Sequence, residues 1–302
     1  MIDVDKLESA IETAKLASRM SQEFYGKPMT VCYSGGKDSD ALVGVCLAAG
    51  VPFRVIHSLT TADAPETVTH VKKLFASLEE KGIEASLKLP TYKGERTTMW
   101  KLIPHKKMPP TRIVRYCCKH LKEASTPNSL AVLGVRADES YARSKRGKFE
   151  IKSVGKKRLN WSYEHAAEVF EESRELPEVF DCTMIASMRK RKESMVNPIL
   201  DWSTSDVVDF CEYAGISLNP LYERGYSRVG CLICPMGGAT RQREAAEYPS
   251  YKRAYIRAFG KMLETRRSLG MKCDWSTGEE VWHWWIEDGV IPGQLQMELG
   301  GD

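Results

Sequence analysis

Met29-Thr30-Val31-Cys32-Tyr33-Ser34-Gly35-Gly36-Lys37-Asp38-Ser39-Asp40-Ala41-Leu42-Val43 is the stretch on which the fold turns. Met29 to Tyr33 is a short apolar run and predicts a buried strand; Ser34 to Ser39 is a glycine turn; Ala41 to Ala49, stopped by Gly50, predicts a helix. Where a strand hands over to a helix, backbone amides and the helix dipole converge on any anion placed there, and phosphate is the natural guest. The stretch is not a Walker A loop. That pattern requires Gly at position 31 and Ser or Thr at 38, where this chain has Val31 and Asp38, so a kinase or GTPase reading fails.

The same pattern extends outward. Upstream, Leu7, Ile11, Ala14 and Ala17 recur at helical spacing and predict an amphipathic helix over residues 4–24. Downstream, Phe53 to His57 reads as a strand, Asp63 and Glu66 form a capping-box pattern with Pro65 in the first turn of a helix ending near Gly82, and Ile83 to Leu89 is the next strand. Strands alternating with helices predict an α/β fold, a parallel sheet with helices on both faces, because parallel neighbours need crossover connections. Ligands then bind at the carboxyl ends of the strands. Leu130 to Val135 continues the sheet. Ser203 and Asp206 cap a further helix ending at Gly215, a loop rich in Gly, Pro, Tyr and Cys runs to Gly238, and helices over 241–268 and 278–287 close the chain. The expected organisation is a nucleotide-binding α/β domain over 1–240, carrying a charged insert or lid at 141–194, followed by a helical extension over 241–302.

Composition fits this class. Of 302 residues, 42% are hydrophobic and 28% charged, as in ordinary soluble domains. No apolar run approaches the roughly 20 residues of a membrane helix, and Met1-Ile2-Asp3-Val4-Asp5-Lys6 is too acidic and polar for a signal peptide, so a cytoplasmic protein without membrane partners is expected. The net charge of +4, from 44 basic and 40 acidic residues, does not by itself argue for nucleic acid. Its distribution is blocky: Arg143 to Arg158 has eight basic residues against one acidic, Glu164 to Asp181 has seven acidic against one basic, and Arg189-Lys190-Arg191-Lys192 follows. A solvated insert is the plain interpretation of these blocks, and contact with nucleic acid is the sharper one.

Nine cysteines without an export signal point to thiols or metal ligands rather than disulfides. Cys117-Cys118 and Cys231-x-x-Cys234 supply four thiolates, the count for either a tetrahedral zinc or a [4Fe–4S] cluster. Adjacent cysteines point apart in regular structure, which suits a cluster better than one ion, but zinc and free thiols stay open. Cys32, Cys46 and Cys211 fall in elements flanking or following the loop and read as core. Cys182 and Cys273 carry no assignment. His57, at the carboxyl edge of its strand, is a candidate to touch nucleotide or a buried rim histidine. Trp282, Trp284 and Trp285 crowd one helix and read as its anchor to a core.

Ser34-Gly35-Gly36-x-Asp38-Ser39 after a buried strand resembles the pyrophosphate loop of the adenine-nucleotide α-hydrolase superfamily. Gly134-Val135-Arg136-x-x-Glu139-Ser140-x-x-Arg143, Pro198-Ile199-Leu200-Asp201-Trp202 and Asn219-Pro220-Leu221-Tyr222-x-Arg224-Gly225-Tyr226-Ser227-Arg228-Val229-Gly230-Cys231 are similar to segments of phosphoadenylyl-sulfate reductases. Together these similarities run from about residue 28 to 237. The resemblance implies that Ser34, Gly35, Gly36 and Ser39 bind phosphate oxygens of ATP or an adenylylated nucleotide, that Lys37 neutralises charge, and that Asp38 caps the helix or holds Mg²⁺. It adds Gly134, Arg136, Arg143, Arg224 and Arg228 to the nucleotide site, the arginines as guanidinium forks for phosphate or sulfate. Cys117, Cys118, Cys231 and Cys234 are similar to the [4Fe–4S] ligands of adenylyl-sulfate reductases and of ATP-pyrophosphatase subunits of DNA phosphorothioation systems.

Reductases of that family use a nucleophilic cysteine in a Glu-Cys-Gly-Leu-His context on a C-terminal tail. Leu295 to Asp302 holds no cysteine, and Met271-Lys272-Cys273-Asp274-Trp275 does not match that context. The resemblance therefore implies an ATP pyrophosphatase that cleaves the α–β bond to activate an acceptor, with Ser34, Lys37 and Asp38 as the catalytic group. The expected pathway is sulfur incorporation into DNA or RNA, with a cysteine desulfurase as sulfur donor. The alternatives are an adenylyl- or phosphoadenylyl-sulfate reductase and a non-catalytic nucleotide- and cluster-binding subunit.

Overall fold

The computed structural model describes residues 3–122, 129–152, 158–175 and 194–287. In chain order the elements are α1 (Val4–Tyr25), β1 (Met29–Cys32), α2 (Lys37–Ala48), β2 (Phe53–Ser58), α3 (Pro65–Glu80), β3 (Ala85–Lys88), β4 (Thr91–Tyr92), β5 (Glu95–Arg96), α4 (Met99–Lys106) and α5 (Tyr116–Leu121). They continue with β6 (Leu130–Val132), α6 (Tyr141–Ser144), β7 (Phe149–Lys152), β8 (Arg158–Trp161), α7 (Tyr163–Glu175), β9 (Ser194–Val196), α8 (Thr204–Tyr213), α9 (Thr240–Glu247), α10 (Pro249–Ser268) and α11 (Gly278–Ile286). The chain divides into two compact units. The first comprises Met1–Ser58, Pro65–Lys88 and Ser125–Val229; the second comprises Leu59–Ala64, Leu89–Ala124 and Gly230–Asp302.

The first unit is built on a seven-stranded sheet of order β3-β2-β1-β6-β9-β7-β8. Its first five strands run parallel, as the alternating strands and helices predict; β7 joins β9 antiparallel and β8 joins β7 antiparallel. Val31, Val55, Val132 and Val196 are buried at its centre beside Leu42, Phe210 and Trp202. Each such side chain contributes about 1.5–3 kcal/mol through the apolar surface removed from water. β1 lies between β2 and β6, so the connections leaving its two sides diverge, and the carboxyl end of β1 is where an open α/β sheet forms a crevice.

Two boundaries differ from expectation for local reasons. α2 begins at Lys37, not Ala41, because Gly36 takes the extended conformation of an N-cap (φ −105°, ψ 160°), making Lys37, Asp38 and Ser39 the first helical turn. The expected helix over 241–268 is two helices, α9 and α10, separated at Tyr248 by Pro249, which starts the second. Within the charged stretch 141–194, β7 and β8 extend the sheet. Glu150 of β7 is buried and neutralised by Arg146, whose Nη2 donates to it at 3.0 Å, while Asn197 Nδ2 donates at 3.0 Å. The basic block 189–192, Lys156, Lys157 and Cys182 lie outside the described residues.

The second unit has an aromatic core. Tyr255 and Phe259 of α10 pack against Trp285 of α11 with ring centroids 4.8 and 5.4 Å apart, and Trp282 and Trp285 are buried, the anchoring role expected of them. Among the described residues no helix is long and apolar enough to cross a membrane.

Candidate functional site

The loop Ser34–Ser39 stands at the carboxyl end of β1. Gly35 adopts φ +78°, and a Cβ there would come within 2.8 Å of Thr67 Cγ2, so the turn requires glycine on both counts. Ser39 holds the turn's shape: its Oγ donates to the Gly36 carbonyl at 2.7 Å and accepts the Ser34 N–H at 3.2 Å, with Ser34 Oγ 3.1 Å away. Asn219 Nδ2 donates to the Gly35 carbonyl at 2.9 Å, and the Lys37 N–H donates to the Tyr222 hydroxyl at 3.0 Å. α2 starts with no side-chain cap, since Gly36 has none to offer. A twelve-residue helix therefore points its dipole and first-turn amides into the loop, the arrangement that receives phosphate.

The charged residues are ordered around Asp38. Arg136 Nε donates to Asp38 Oδ1 at 2.7 Å, and Lys37 Nζ lies 3.3 Å from Asp38 Oδ2. Arg136 is only 3% exposed. Its other donors reach Asp138 at 3.0 Å, the Trp202 carbonyl at 3.3 Å and Thr204 Oγ1 at 3.1 Å, so the guanidinium acts on Asp38 within the protein. Gly134 lets β6 approach the loop: a Cβ there would meet the Asp38 carbonyl oxygen at 2.8 Å. Arg143 is paired with Glu139. Burial lowers its pKa, and the charges of Arg146, Arg228 and Arg136 add to that, which marks a cationic neighbourhood around Asp38. Arg224 pairs with Glu66, and Arg228 is exposed. His57 is buried, its Nδ1 3.0 Å from the Tyr33 carbonyl oxygen.

Sequence reasoning gives no role to the two residues that flank the loop. The Tyr33 hydroxyl donates to Asp40 Oδ1, closing a clasp between the residue before Ser34 and the residue after Ser39, and His70 Nε2 lies 3.0 Å from the same oxygen. Asp40 is 2% exposed, and its Oδ2 has no hydrogen-bond partner among the described residues. Burial and the Asp40 carboxylate push the Tyr33 phenol far up, so it stays a donor. Burial likewise pushes Tyr222 up to about 12, keeping its hydroxyl neutral against the Lys37 amide. Asn219 and Tyr222 stand in a segment that sequence similarity singled out, but their hold on the loop is a tertiary contact.

The four candidate cluster ligands belong to the second unit. Cys117 and Cys118 lie in α5; Cys231 forms an isolated bridge with Asp63, and Cys234 precedes the turn Pro235–Gly237. Cys231 Sγ is 3.4 Å from Thr60 Oγ1, and Arg115 Nη2 is 3.5 Å from Cys118 Sγ. A hydrogen bond from Cys117 holds the Cys118 thiol down to about 5, against its burial and with help from Arg115 and Lys122. The same bond, burial and the nearby sulfurs of Cys118, Cys231 and Cys234 push Cys117 up. Burial pushes Cys231 up, and Lys122 opposes it. Four thiols that sense one another, faced by two cations, are a donor set suited in chemistry to an anionic iron–sulfur cluster. Among the described residues, however, no group of three or more His, Cys, Asp or Glu side chains is gathered closely enough to hold a metal ion. Cys46 and Cys211 are buried thiols, each pushed up to about 12 by burial, in keeping with core positions. Cys273 Sγ lies 3.6 Å from the Met271 carbonyl oxygen.

The model of the phosphoadenosine phosphosulfate reductase domain matches residues 28–236. Two uncharacterized proteins of Methanocaldococcus jannaschii are similar: one is 23% identical over 85% of this chain and 46% of its own length, the other 26% identical over 83% and 50%. This chain thus spans about half the length of those relatives. Among solved structures, the phosphoadenylyl-sulfate reductase of Candida auris, in a phosphate complex, aligns with a TM-score of 0.41 at 13% identity, covering 68% of this chain and 81% of that one. The U34-tRNA thiolase of Methanococcus maripaludis, solved with its [4Fe–4S] cluster, aligns with a TM-score of 0.34 at 12% identity, over 96% of this chain and 84% of that one.

Proposed function

The chain belongs to the phosphoadenosine phosphosulfate reductase domain family, and from that premise we propose that it binds ATP at Ser34–Ser39 and cleaves the α–β bond to adenylylate an acceptor. The observation that carries this reading is the loop itself: a glycine turn fixed by Ser39 and Asn219, opening an uncapped helix beside Lys37. In the proposed step an acceptor oxygen attacks the α-phosphorus, the bond from that phosphorus to the α–β bridging oxygen breaks, and pyrophosphate leaves with the electron pair; AMP is freed when a sulfur nucleophile displaces it from the acceptor, and without an acceptor water is the attacking oxygen and yields AMP directly. The Ser34 hydroxyl and the Asp38 amide in the first turn of α2 would donate to the departing oxygens, with the helix dipole behind them, and Lys37 would offset their charge. Asp38, positioned by Arg136, is the carboxylate available to Mg²⁺, which when bound supplies further charge neutralisation. Arg143 and Arg228 would orient the nucleotide, with Arg224, Gly134 and His57 lining or supporting the site.

Sulfur incorporation into nucleic acid is the pathway this reading favours, with a cysteine desulfurase as donor. Cys117, Cys118, Cys231 and Cys234 would hold a [4Fe–4S] cluster, and Arg115 and Lys122 would balance its charge. The family membership itself supports a second reading, reduction of adenylyl sulfate or its 3′-phosphorylated form with Cys273 as nucleophile. Offering ATP and adenylyl sulfate side by side, with a thiol reductant present and products resolved by chromatography, separates the two. Pyrophosphate and AMP from ATP, unchanged in Cys273→Ser, is the expected outcome; Cys273-dependent sulfite with ATP untouched would overturn it.

A further inference from the structure

One stretch of the second unit differs in charge from the rest of the chain. From Arg96 to Lys122 there are 27 residues without a carboxylate, bounded by Glu95 and Glu123. They hold eight of the 44 Lys and Arg residues and none of the 40 Asp and Glu, together with His105 and His120; the remainder, 36 against 40, carries a net −4. The protein's positive balance therefore resides in this run.

The fold gathers these groups from three elements of that unit. Tyr92, in the β4–β5 hairpin, is the hub. His120 of α5 meets its ring edge-on at 4.9 Å, His105 of α4 lies at 5.9 Å, and the ammonium groups of Lys106 and Lys93 stand 4.6 and 5.8 Å from its centroid. Lys101 shares the α4 face of His105, four residues on. Lys93, Arg96, Lys101 and Lys119 are exposed. Ile113, between Arg112 and Arg115, is 93% exposed. Cations interleaved with rings and an open apolar side chain match a partner that offers phosphates and flat unpaired faces together. A duplex presents the first without the second, and an acidic polypeptide lacks the flat faces.

We propose that this surface, the β4–β5 hairpin with α4 and α5, binds single-stranded nucleic acid. The inference rests on the reading of a nucleic-acid acceptor for its place in the chemistry, but binding itself requires no ATP. The test uses the full chain and a labelled single-stranded oligonucleotide of about 20 residues, as DNA and as RNA, with binding followed by anisotropy over a salt series. Affinity should fall with salt, and Lys93→Glu/Arg96→Glu/Lys101→Glu should weaken it at least about tenfold and flatten the logarithmic salt slope by about two units, at ~0.7 per lost phosphate contact. The corresponding triple alanine variant, with unchanged melting temperature, should move affinity in the same direction, and pyrophosphate release from ATP without oligonucleotide should match the parent. Unchanged affinity in both variants overturns the proposal. So does tighter capture of polyglutamate than of the oligonucleotide, or equal binding of duplex. Lysine-dependent binding in a protein inert towards ATP would support this surface while removing the ATP reading; ATP cleavage with no strand binding would do the reverse.

Discussion

The Ser34–Ser39 loop and the cysteine set are both short signatures, and the protein supports them in different ways. The loop is contiguous: six residues, the turn after β1 and the first turn of α2, acquire their shape from Gly35, from Ser39 and from two side chains of a later segment, Asn219 and Tyr222. Its form is complete in the polypeptide alone. The cysteines come from α5 and from a loop more than a hundred residues later, and their sulfurs interact electrostatically without forming a metal-holding group among the described residues. A contiguous site is thus shaped by backbone geometry, whereas cysteines contributed by separate segments are not gathered by the turn of one loop.

The largest effect that sharpens this contrast is loss of metal. Protein purified without oxygen should be brown and carry about four irons per chain; Cys231→Ser or Cys234→Ser should remove colour and iron while nucleotide binding at the loop persists. Stoichiometric zinc without iron, or loss of nucleotide binding with the iron, would erase the distinction. Next in size is a change at the loop's own packing. Gly134→Ala places a methyl 2.8 Å from the Asp38 carbonyl oxygen and should cost about 1–3 kcal/mol in urea unfolding while weakening nucleotide binding. Gly260→Ala, in α10 with open space around it, should be neutral or mildly stabilising. Equal responses would mean that Gly134 is not a close-approach position.

Tyr33→Phe removes the donor of the loop's clasp and leaves Asp40 less satisfied, which should cost about 1–3 kcal/mol. If the clasp acts on the loop, nucleotide affinity falls as well. The smallest effect lies away from both sites. Asp206 accepts from Lys6 Nζ at 2.6 Å and caps α8 through the Ser203 N–H at 2.6 Å; burial opposes its charge, but these contacts outweigh it and hold the carboxyl below its ordinary pKa. A depressed folded-state pKa contributes stability above about pH 3.9, lost as pH falls through the lower folded value. Asp206→Asn should therefore lie about 1 kcal/mol below the parent at pH 7, with the gap narrowing as pH falls below about 3.9. A constant gap across that range would remove the ionised carboxylate from the explanation.

The parts of this fold that were legible in sequence are those decided by local chemistry. The strand at Met29, the parallel order of the first strands and the Ser203–Asp206 capping box follow from apolar periodicity and cap residues. α5 was not legible: six residues, Tyr116–Leu121, are too few for a helical repeat. β7 and β8 were hidden because their basic residues read as a charge block, although Glu150 within it is buried and accepts from Asn197 beyond β9. The Tyr33–Asp40 clasp could not be read, because closing a loop on itself is a property of the folded chain. The carboxylate-free run from Arg96 to Lys122 is plain in the sequence once counted, but it never exceeds two adjacent cations and so forms no visible cluster.

The measurement that tests the central claim most directly is the identity of the bond broken in ATP. With Mg²⁺, ATP and its acceptor or sulfur-donating partner, the protein should release pyrophosphate and AMP. Lys37→Ala, and separately Asp38→Ala, should lower that release by about a hundredfold or more, since the first removes the cation that offsets charge on the departing pyrophosphate and the second the carboxylate that would hold Mg²⁺. Release of ADP and phosphate instead, or pyrophosphate release that is indifferent to Lys37, would contradict the assignment of Ser34–Ser39 as the site of α–β cleavage.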